Sequence, residues 1–162
     1  MKRLVVVLFL AGIAPSPLMA DDYQEVVSSF DTDFYKIDSK NILIRTENCY
    51  DTVESQQVLA KMKGATGEII FSESGNTCAV AGVYQTKGYR VGNYRVEITR
   101  DAENWYRISG QNMFILTQEC LIYATEQEAL LSISTVGKGG SGSLHFEHEA
   151  CRVVGLYSPM SL

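Results

Sequence analysis

The sequence contains two similar segments in tandem, and this internal repeat constrains the fold more than any other feature. Residues 34–49 and 105–120 align without a gap at a constant offset of 71. They are identical at six positions: Tyr35/Tyr106, Ile37/Ile108, Asn41/Asn112, Ile44/Ile115, Thr46/Thr117 and Cys49/Cys120. The similarity returns further on, where residues 78–84 match residues 151–157. A repeat that preserves order, cysteines and flanking aromatics indicates a duplication, and two copies predict a pseudo-symmetric pair rather than a solenoid.

Each copy contributes two of the four cysteines, Cys49, Cys78, Cys120 and Cys151. Equivalent positions should be bridged in the same way, so we expect one disulfide within each copy, Cys49–Cys78 and Cys120–Cys151. The swapped pairing, Cys49–Cys120 with Cys78–Cys151, remains the alternative. A zinc site is not favoured, because structural zinc ligands usually pair two to four residues apart, and the closest cysteines here are 29 apart.

Apolar residues within each copy alternate with a period of two, which is typical of strands. Residues 55–62 and 126–133 are ambiguous, because they alternate like strands but also contain good helix formers and, at Thr125, the start of a capping-box pattern. The predicted fold is all-β with minor α content. It consists of two tandem, pseudo-symmetric, disulfide-bridged antiparallel β modules packed as one compact unit, with a short N-terminal helix.

Two segments lie outside the aligned repeat. Residues 21–33 place Tyr23, Val26, Val27 and Phe30 at helical spacing, which predicts an amphipathic helix of about two turns. A connector contains an alternating run that predicts an ordered strand between the copies. The predicted organisation is a signal peptide at 1–20, the helix at 21–33, copy one at 34–87, the connector at 88–104 and copy two at 105–162.

Residues 1–20 have the pattern of a secretory signal peptide, with a basic start, an apolar run too short to span a bilayer, and a small residue before the expected cleavage. We therefore expect a periplasmic or secreted protein with no transmembrane anchor in the mature chain. The net charge is −5, and loss of Lys2 and Arg3 with the leader changes it to −7. Such a charge disfavours general attraction to nucleic acid and favours a basic partner.

The sequence offers little for catalysis. His145 and His148 fall on opposite faces of a predicted strand, which argues against a shared metal site or a catalytic pair. The run Gly137–Gly142 matches a dinucleotide-binding pattern literally, but a strand rather than a helix is predicted after it, so a hairpin tip is the better interpretation. We expect no enzymatic activity, no cofactor and no metal.

Candidate binding residues come from segments that the repeat does not explain. Copy two is longer than copy one at a glycine-rich loop, and the connector carries aromatic and basic side chains. The candidates are Tyr89, Arg90, Tyr94, Gly137, Lys138, Gly139, Gly140 and Ser141. The leading hypothesis is an exported, non-catalytic binding protein that recognises a protein or cell-envelope component, such as an inhibitor or immunity-type protein. The alternatives are a structural or surface-assembly component and, less favoured, an envelope hydrolase.

Overall fold

The computed structural model describes residues 21–135 and 140–162, and within these ranges the chain forms twelve β-strands and no helix. The strands are β1 Asp21–Asp31, β2 Phe34–Ile37, β3 Ile42–Glu47, β4 Gln56–Lys63, β5 Thr66–Phe71, β6 Thr77–Thr86, β7 Gly92–Ala102, β8 Trp105–Ile108, β9 Met113–Gln118, β10 Gln127–Ile133, β11 Gly142–His145 and β12 Ala150–Met160. The all-β class is confirmed. No helix in these ranges is long and apolar enough to cross a membrane.

The predicted N-terminal helix is wrong, because residues 21–31 form strand β1. This strand pairs with β4 over its first half and with β2 over its second half, and Val27 is paired to both. The same apolar residues fit both periods, since Tyr23 and Val27 also lie four apart on one face of a strand. Sheet pairing decides between them: Val27 is fully buried, whereas Val26 and Phe30 stay exposed on the other face.

The two ambiguous segments are strands β4 and β10. In β4 the buried residues alternate strictly with more exposed ones, and Val58, Ala60 and Met62 all lie in the core. In β10 the buried residues Ala129, Leu131 and Ile133 follow the same rule. Burial on alternate positions requires a strand, so the alternation outweighed the helix-forming composition.

Each half of the chain closes into a ring of six antiparallel strands. In the first half the ring runs β1-β2-β3-β6-β5-β4 and returns to β1. In the second half it runs β7-β8-β9-β12-β11-β10 and returns to β7. We call these the first and second barrels. Barrels this narrow are filled by their inward side chains and leave no channel.

The inward side chains form a separate apolar core in each barrel. The first core contains Val27, Tyr35, Ile37, Ile44, Val58, Ala60, Met62, Ile69, Phe71, Val80 and Val83, together with Cys49 and Cys78. The second contains Val96, Ile98, Tyr106, Ile108, Ile115, Ala124, Ala129, Leu131, Ile133, Leu144, Val153 and Leu156, together with Cys120 and Cys151. Alternation along each strand thus supplies one face to a core, as the period of two predicts.

A third apolar cluster joins the barrels. The ends of β6 and β12 pair in antiparallel fashion, and Trp105 lies at the centre of the cluster between them, with its ring centroid 5.0 Å from that of Phe34 and 5.1 Å from that of Phe114. Tyr84 and Tyr157 also contact Trp105, at 5.0 and 5.6 Å. Aromatic packing of this kind makes the two barrels one unit.

Glycines at matching bulges allow these tyrosines to fold back over their own strands. A Cβ at Gly82 would lie 2.7 Å from Tyr84 Oη, and a Cβ at Gly155 would lie 2.6 Å from Tyr157 Cε2. Both glycines lie where the register shifts against the neighbouring strand. A side chain at either position would therefore require the tyrosine ring or the strand to shift.

Each half covers the end of the other barrel. After β6 the chain leaves the first barrel, and Tyr89 packs against the second core, with Lys87 N–H donating to Leu156 O at 2.7 Å. After β12 the chain leaves the second barrel, and Met160 and Leu162 pack against the first core. We call residues 87–91 and 160–162 the crossing segments. Neither barrel therefore has a complete core of its own.

Candidate functional site

Two loops at equivalent positions, residues 48–55 and 119–126, follow β3 and β9 and contain the first cysteine of each half. We call them the first and second cysteine loops. The structure contains both predicted disulfides, Cys49–Cys78 and Cys120–Cys151, so each loop is tied covalently to the last strand of its own barrel. Each loop begins and ends in the left-handed region, at Asn48 and Ser55 in one and at Glu119 and Glu126 in the other.

A buried tyrosine holds each cysteine loop from beneath. Tyr35 Oη donates to Asp51 O at 2.7 Å, and Tyr106 Oη donates to Ile122 O at 2.7 Å. The same hydroxyls lie 3.1 Å from the Sγ atoms of Cys49 and Cys120. Each hydroxyl therefore fixes the loop backbone and contacts the disulfide. These contacts explain why the Tyr and the Cys are identical in the two segments.

A turn residue before β2 or β8 fixes the cysteine itself. Cys49 N–H donates to Asp33 Oδ1 at 2.7 Å, and Cys120 N–H donates to Asn104 Oδ1 at 2.8 Å. Asp33 and Asn104 both have positive φ, 60° and 57°, which Asp and Asn tolerate better than most residues. Asn104 also donates from Nδ2 to Asp31 Oδ2 at 3.0 Å, across the junction between the barrels.

The two tyrosines differ in their electrostatic surroundings. Burial, with the nearby charges of Asp51 and Asp33, raises the pKa of Tyr35 to about 12. Burial also raises the pKa of Tyr106, but there the Arg100 guanidinium acts in the opposite direction. The first loop is thus held in an acidic environment and the second beside a cation.

The cysteine loops carry the most exposed large apolar side chains among the described residues. Tyr50 and Tyr123 are each 78% exposed and Leu121 is 70% exposed. Tyr50 and Leu121 occupy the same position, directly after the cysteine. The disulfides and the buried tyrosines already hold these loops in place, so exposed apolar side chains are not required for the fold. These side chains are therefore candidates for contact with a partner.

In the first half, a polar contact bridges the cysteine loop and the β5–β6 hairpin, and the recess of about 400 Å³ that remains between them is lined mainly by polar residues, among them Asn48, Asp51 and Asn76. Asn76 Nδ2 donates to both carboxylate oxygens of Asp51, at 3.0 and 3.1 Å. A second recess of about 320 Å³ lies on the other side of the loop, beside Ser29, Phe30 and Asp31. Ser29 is small, and its hydroxyl is used up in contacts with Asp51 O at 3.2 Å and Val53 N–H at 2.8 Å.

In the second half, the corresponding gap between loop and hairpin is an open groove of about 560 Å³. Ile122 stands where the first half has Asp51, and it has no polar atom with which to bridge to the hairpin. The groove is lined by apolar and acidic side chains in about equal number: Leu121, Ile122 and Phe146 with Glu119, Glu147 and Glu149, and by Gln127 and His148. We call it the acidic apolar groove.

Arg100 replaces Ser29 on the opposite side of the second loop. Its Nη1 donates to Leu121 O at 3.4 Å and its Nε to Ala102 O at 3.3 Å. The guanidinium therefore reaches across the space that the smaller Ser29 leaves vacant in the first half. The two cysteine loops share a framework, but the first has a recess on each side, whereas the second has its groove on the hairpin side and Arg100 on the other.

The connector and the described base of the glycine-rich loop meet at the other end of the second barrel. Gly92 at the start of β7 pairs with Ile133, and Ile133 pairs with Gly142. Tyr89 and Tyr94 are half-buried there, in edge-to-face contact at 4.8 Å. Packing against the second core therefore gives both side chains a structural role.

Arg90 is exposed, and its carbonyl accepts a hydrogen bond from Tyr94 Oη at 2.9 Å. Gly137, Lys138 and Gly139 lie outside the described residues. Gly140 is buried, and Ser141 Oγ lies 2.7 Å from Thr135 Oγ1, which closes the base of the loop. A binding role for this end of the barrel stays a prediction.

The histidines lie near the acidic apolar groove. His145 Nε2 is 2.6 Å from Ser143 Oγ on the exposed face of β11, and His148 is 84% exposed beside Glu147. One group of metal-ligating side chains occurs among the described residues, Cys49, Asp51 and Cys78. Both of its sulfur atoms are in a disulfide, so they are not thiolate ligands.

Sequence reasoning did not identify the cysteine loops as exposed. The signal was the run Leu121-Ile122-Tyr123, three large side chains that interrupt the alternation directly after a cysteine, where the first copy has Tyr50-Asp51-Thr52. Its exposure depends on the loop conformation, which residue types alone do not determine. Comparison with known proteins assigns no relative, since the chain matches no family model, no curated protein and no solved structure.

Proposed function

We propose that this protein is an exported, non-catalytic binding protein that recognises a protein or cell-envelope component through its cysteine loops. The observation that carries the proposal is the concentration of exposed Tyr50, Leu121 and Tyr123 on these two loops. Large apolar side chains on a rigid scaffold lose little conformational entropy on binding, and aromatic residues dominate the energetics of protein interfaces.

Export is supported by the two disulfides and by the leader-like sequence of residues 1–20. Disulfides form and persist in oxidising compartments, and both bridges here lie in the cores, with Cys49 and Cys120 at most 3% exposed. We expect the mature chain to begin near Asp21. N-terminal sequencing of the secreted or periplasmic protein tests this, and retention of Lys2 and Arg3 in the mature chain would contradict it.

The closed rings bear on the alternative of a surface-assembly component. That alternative relies on exposed strand edges that pair with neighbouring molecules. Each of the twelve described strands has a hydrogen-bonded neighbour on both sides over part of its length. Edge pairing with a neighbouring molecule would therefore be limited to the unpaired parts of strands, such as residues 21–26 of β1, and this favours the binding protein.

We also infer that the two halves descend from one duplicated unit. The framework hydrogen bonds of the loops recur 71 residues apart, as in Ser29 N–H to Val53 O and Arg100 N–H to Ala124 O, both at 2.8 Å. The inference adds β1 and β7 to the repeat, which the sequence alignment had left outside both copies. It moves the starts of the two copies back to Asp21 and Gly92, and each copy ends with its crossing segment.

The test of the binding function compares loop variants with a control elsewhere on the surface. Immobilised wild-type protein should retain a partner in stoichiometric amount from an envelope extract. The triple variant Tyr50→Ser, Leu121→Ser, Tyr123→Ser should lose it, whereas Val91→Ser and Leu130→Ser, which change exposed apolar residues outside the loops, should retain it. Equal retention by the triple variant would contradict the proposal.

A further inference from the structure

We propose that the acidic apolar groove binds a basic peptide segment of the partner protein, in which one or two apolar side chains are flanked by Lys or Arg. The inference rests on the proposed binding function and names the chemistry of the partner. Three features of the groove carry it: an apolar floor formed by Ile122 and Phe146, a rim of three glutamates, and the exposed side chain of Leu121 at the edge.

The floor of the groove is apolar and the structure leaves it open. Ile122 and Phe146 are half-buried and pack against the second core from its end. A volume of about 560 Å³ is enough for a few side chains of a ligand. Leu121 at the edge of the groove is 70% exposed. Covering Leu121 and the floor with apolar side chains of a partner would remove this surface from water, which is the main favourable term in association.

The rim determines the charge of the occupant. Glu119, Glu147 and Glu149 line the groove, and its lining includes no Lys or Arg. The one basic group is His148, which is 84% exposed and 4.0 Å from Glu147. Three carboxylates around an apolar floor would repel an acidic segment and attract a basic one. The net charge of −7 after loss of the leader adds a long-range attraction for the same basic segment.

The equivalent gap in the first half provides an internal comparison. Asp51 accepts two hydrogen bonds from Asn76 there, so its carboxylate is committed to the hairpin, and the smaller recess of about 400 Å³ that remains is lined by polar side chains and the disulfide instead of an apolar floor. The matching residues in the second half are Ile122 and Glu149, which cannot form this bridge. A peptide should therefore select the second cysteine loop over the first, although both present an exposed apolar residue after the cysteine.

The probe is an eight-residue peptide with a central Leu-Phe pair and three Lys on each side, added to the full mature protein. Isothermal titration measures its affinity, and amide chemical-shift changes map where it binds. We expect shifts at residues 119–123 and 146–149. The Glu147→Gln, Glu149→Gln variant should bind about ten-fold more weakly at low salt. Leu121→Ser should bind about ten-fold more weakly at any salt. Tyr50→Ser, the matched change in the first half, should bind like the wild type.

Two further peptides separate the proposed recognition from general charge attraction. A peptide in which Ala replaces the Leu-Phe pair should lose at least ten-fold in affinity, and one in which Glu replaces Lys should not bind. Equal binding of the Ala peptide, shifts centred on the first cysteine loop, or no shift with the Leu-Phe peptide would each overturn the inference. So would concentration-dependent dimerisation that Leu121→Ser abolishes, since the groove would then be occupied by a second copy.

These outcomes are distinguishable from failure of the binding function itself. If the envelope partner is captured through the cysteine loops but the groove variants Glu147→Gln, Glu149→Gln retain it and the Leu-Phe peptide does not bind, the groove inference fails and the binding function stands. If the peptide binds in the groove but no partner is captured, the groove inference stands and the proposed partner in the envelope is wrong.

Discussion

The two cysteine loops have the same framework and different surfaces. Tyr35 and Tyr106 hold them from below with the same 2.7 Å hydrogen bond. On the solvent side of these tyrosines the residues of the two loops differ. Asp51 is hydrogen-bonded to the hairpin in the first half, whereas Ile122 lines the bottom of an open groove in the second. Residues that hold a backbone are limited by geometry, while residues that face solvent can change freely, so the divergent layer is where a binding role could evolve.

The largest expected effect tests whether the halves are equally dependent on their bridges. The Cys49→Ala, Cys78→Ala and Cys120→Ala, Cys151→Ala variants open loops with sequence separations of 29 and 31, so each should lose about 3–4 kcal/mol of unfolding free energy. Denaturant unfolding measures the loss. Because the crossing segments join the cores, each variant should unfold in one transition. Two transitions, with only one displaced, would show that the barrels are independent.

The next effect concerns the turn residues Asp33 and Asn104, which make the same contact with a cysteine N–H. Asn104→Asp would replace the donor to Asp31 with a second carboxylate at a buried position, so we expect a loss of about 2–3 kcal/mol at pH 7. Denaturant unfolding at pH 7 measures the loss. Asp33→Asn keeps an acceptor for Cys49 N–H and should cost less than about 1 kcal/mol. Equal losses would contradict the asymmetry.

A smaller effect should appear when either crossing segment is damaged. Removal of residues 160–162 takes Met160 and Leu162 from the end of the first core, and Tyr89→Ala takes a ring from the end of the second. We expect a loss of about 1–2 kcal/mol in each case. Native-state hydrogen exchange locates it: truncation should accelerate exchange in β4 and β5, and Tyr89→Ala in β10 and β11. If truncation accelerated exchange only in the second barrel, or Tyr89→Ala only in the first, the crossing segments would not stabilise the barrels that they cover.

The smallest effect is the alkaline response of the two framework tyrosines. The pKa of Tyr35 is raised to about 12 from 10.0, so its neutral form contributes stability that is complete below pH 10 and is lost as the pH rises towards 12. The decline in unfolding free energy above pH 10 should therefore be flatter in Tyr35→Phe than in the wild type. Tyr106→Phe should change the decline less, because Arg100 opposes the effect of burial. A stronger effect of Tyr106→Phe would reverse the electrostatic comparison.

The sequence predicted the strands and the bridges because both are encoded locally or by the repeat. The offset of 71 placed Cys49 and Cys120 at matching positions of the repeat. The alternation at Val58, Ala60 and Met62 left strand and helix open, and their burial in the structure decides for a strand. The prediction of a helix at residues 21–33 was wrong because the spacing of Tyr23 and Val27 fits both a helix and a strand. Only the pairing with β2 and β4 distinguishes the two structures.

Closure of the rings and the candidate site could not be predicted in the same way. Ring closure depends on which strands meet after the chain has folded, as when the four-residue β11 joins both β10 and β12. Tyr89 and Tyr94 were named as binding candidates because no repeat position explained them, and the sequence did not reveal that they pack together at the end of the second barrel. Leu121 and Tyr123 were overlooked because apolar side chains are expected to be buried.

The crossing segments have a consequence for the history of the chain. A single half with the sequence of either copy would lack a lid for its own barrel, while the residues after its last strand would be available to cover another. On the duplication hypothesis, the ancestral polypeptide would have worked as a homodimer whose subunits exchanged tails, and fusion of the two genes later turned that exchange into the present linker between β6 and β7. Either half expressed alone should therefore associate in pairs, with the segment after its last strand packed against the core of the other copy, as Leu162 packs against the first core here.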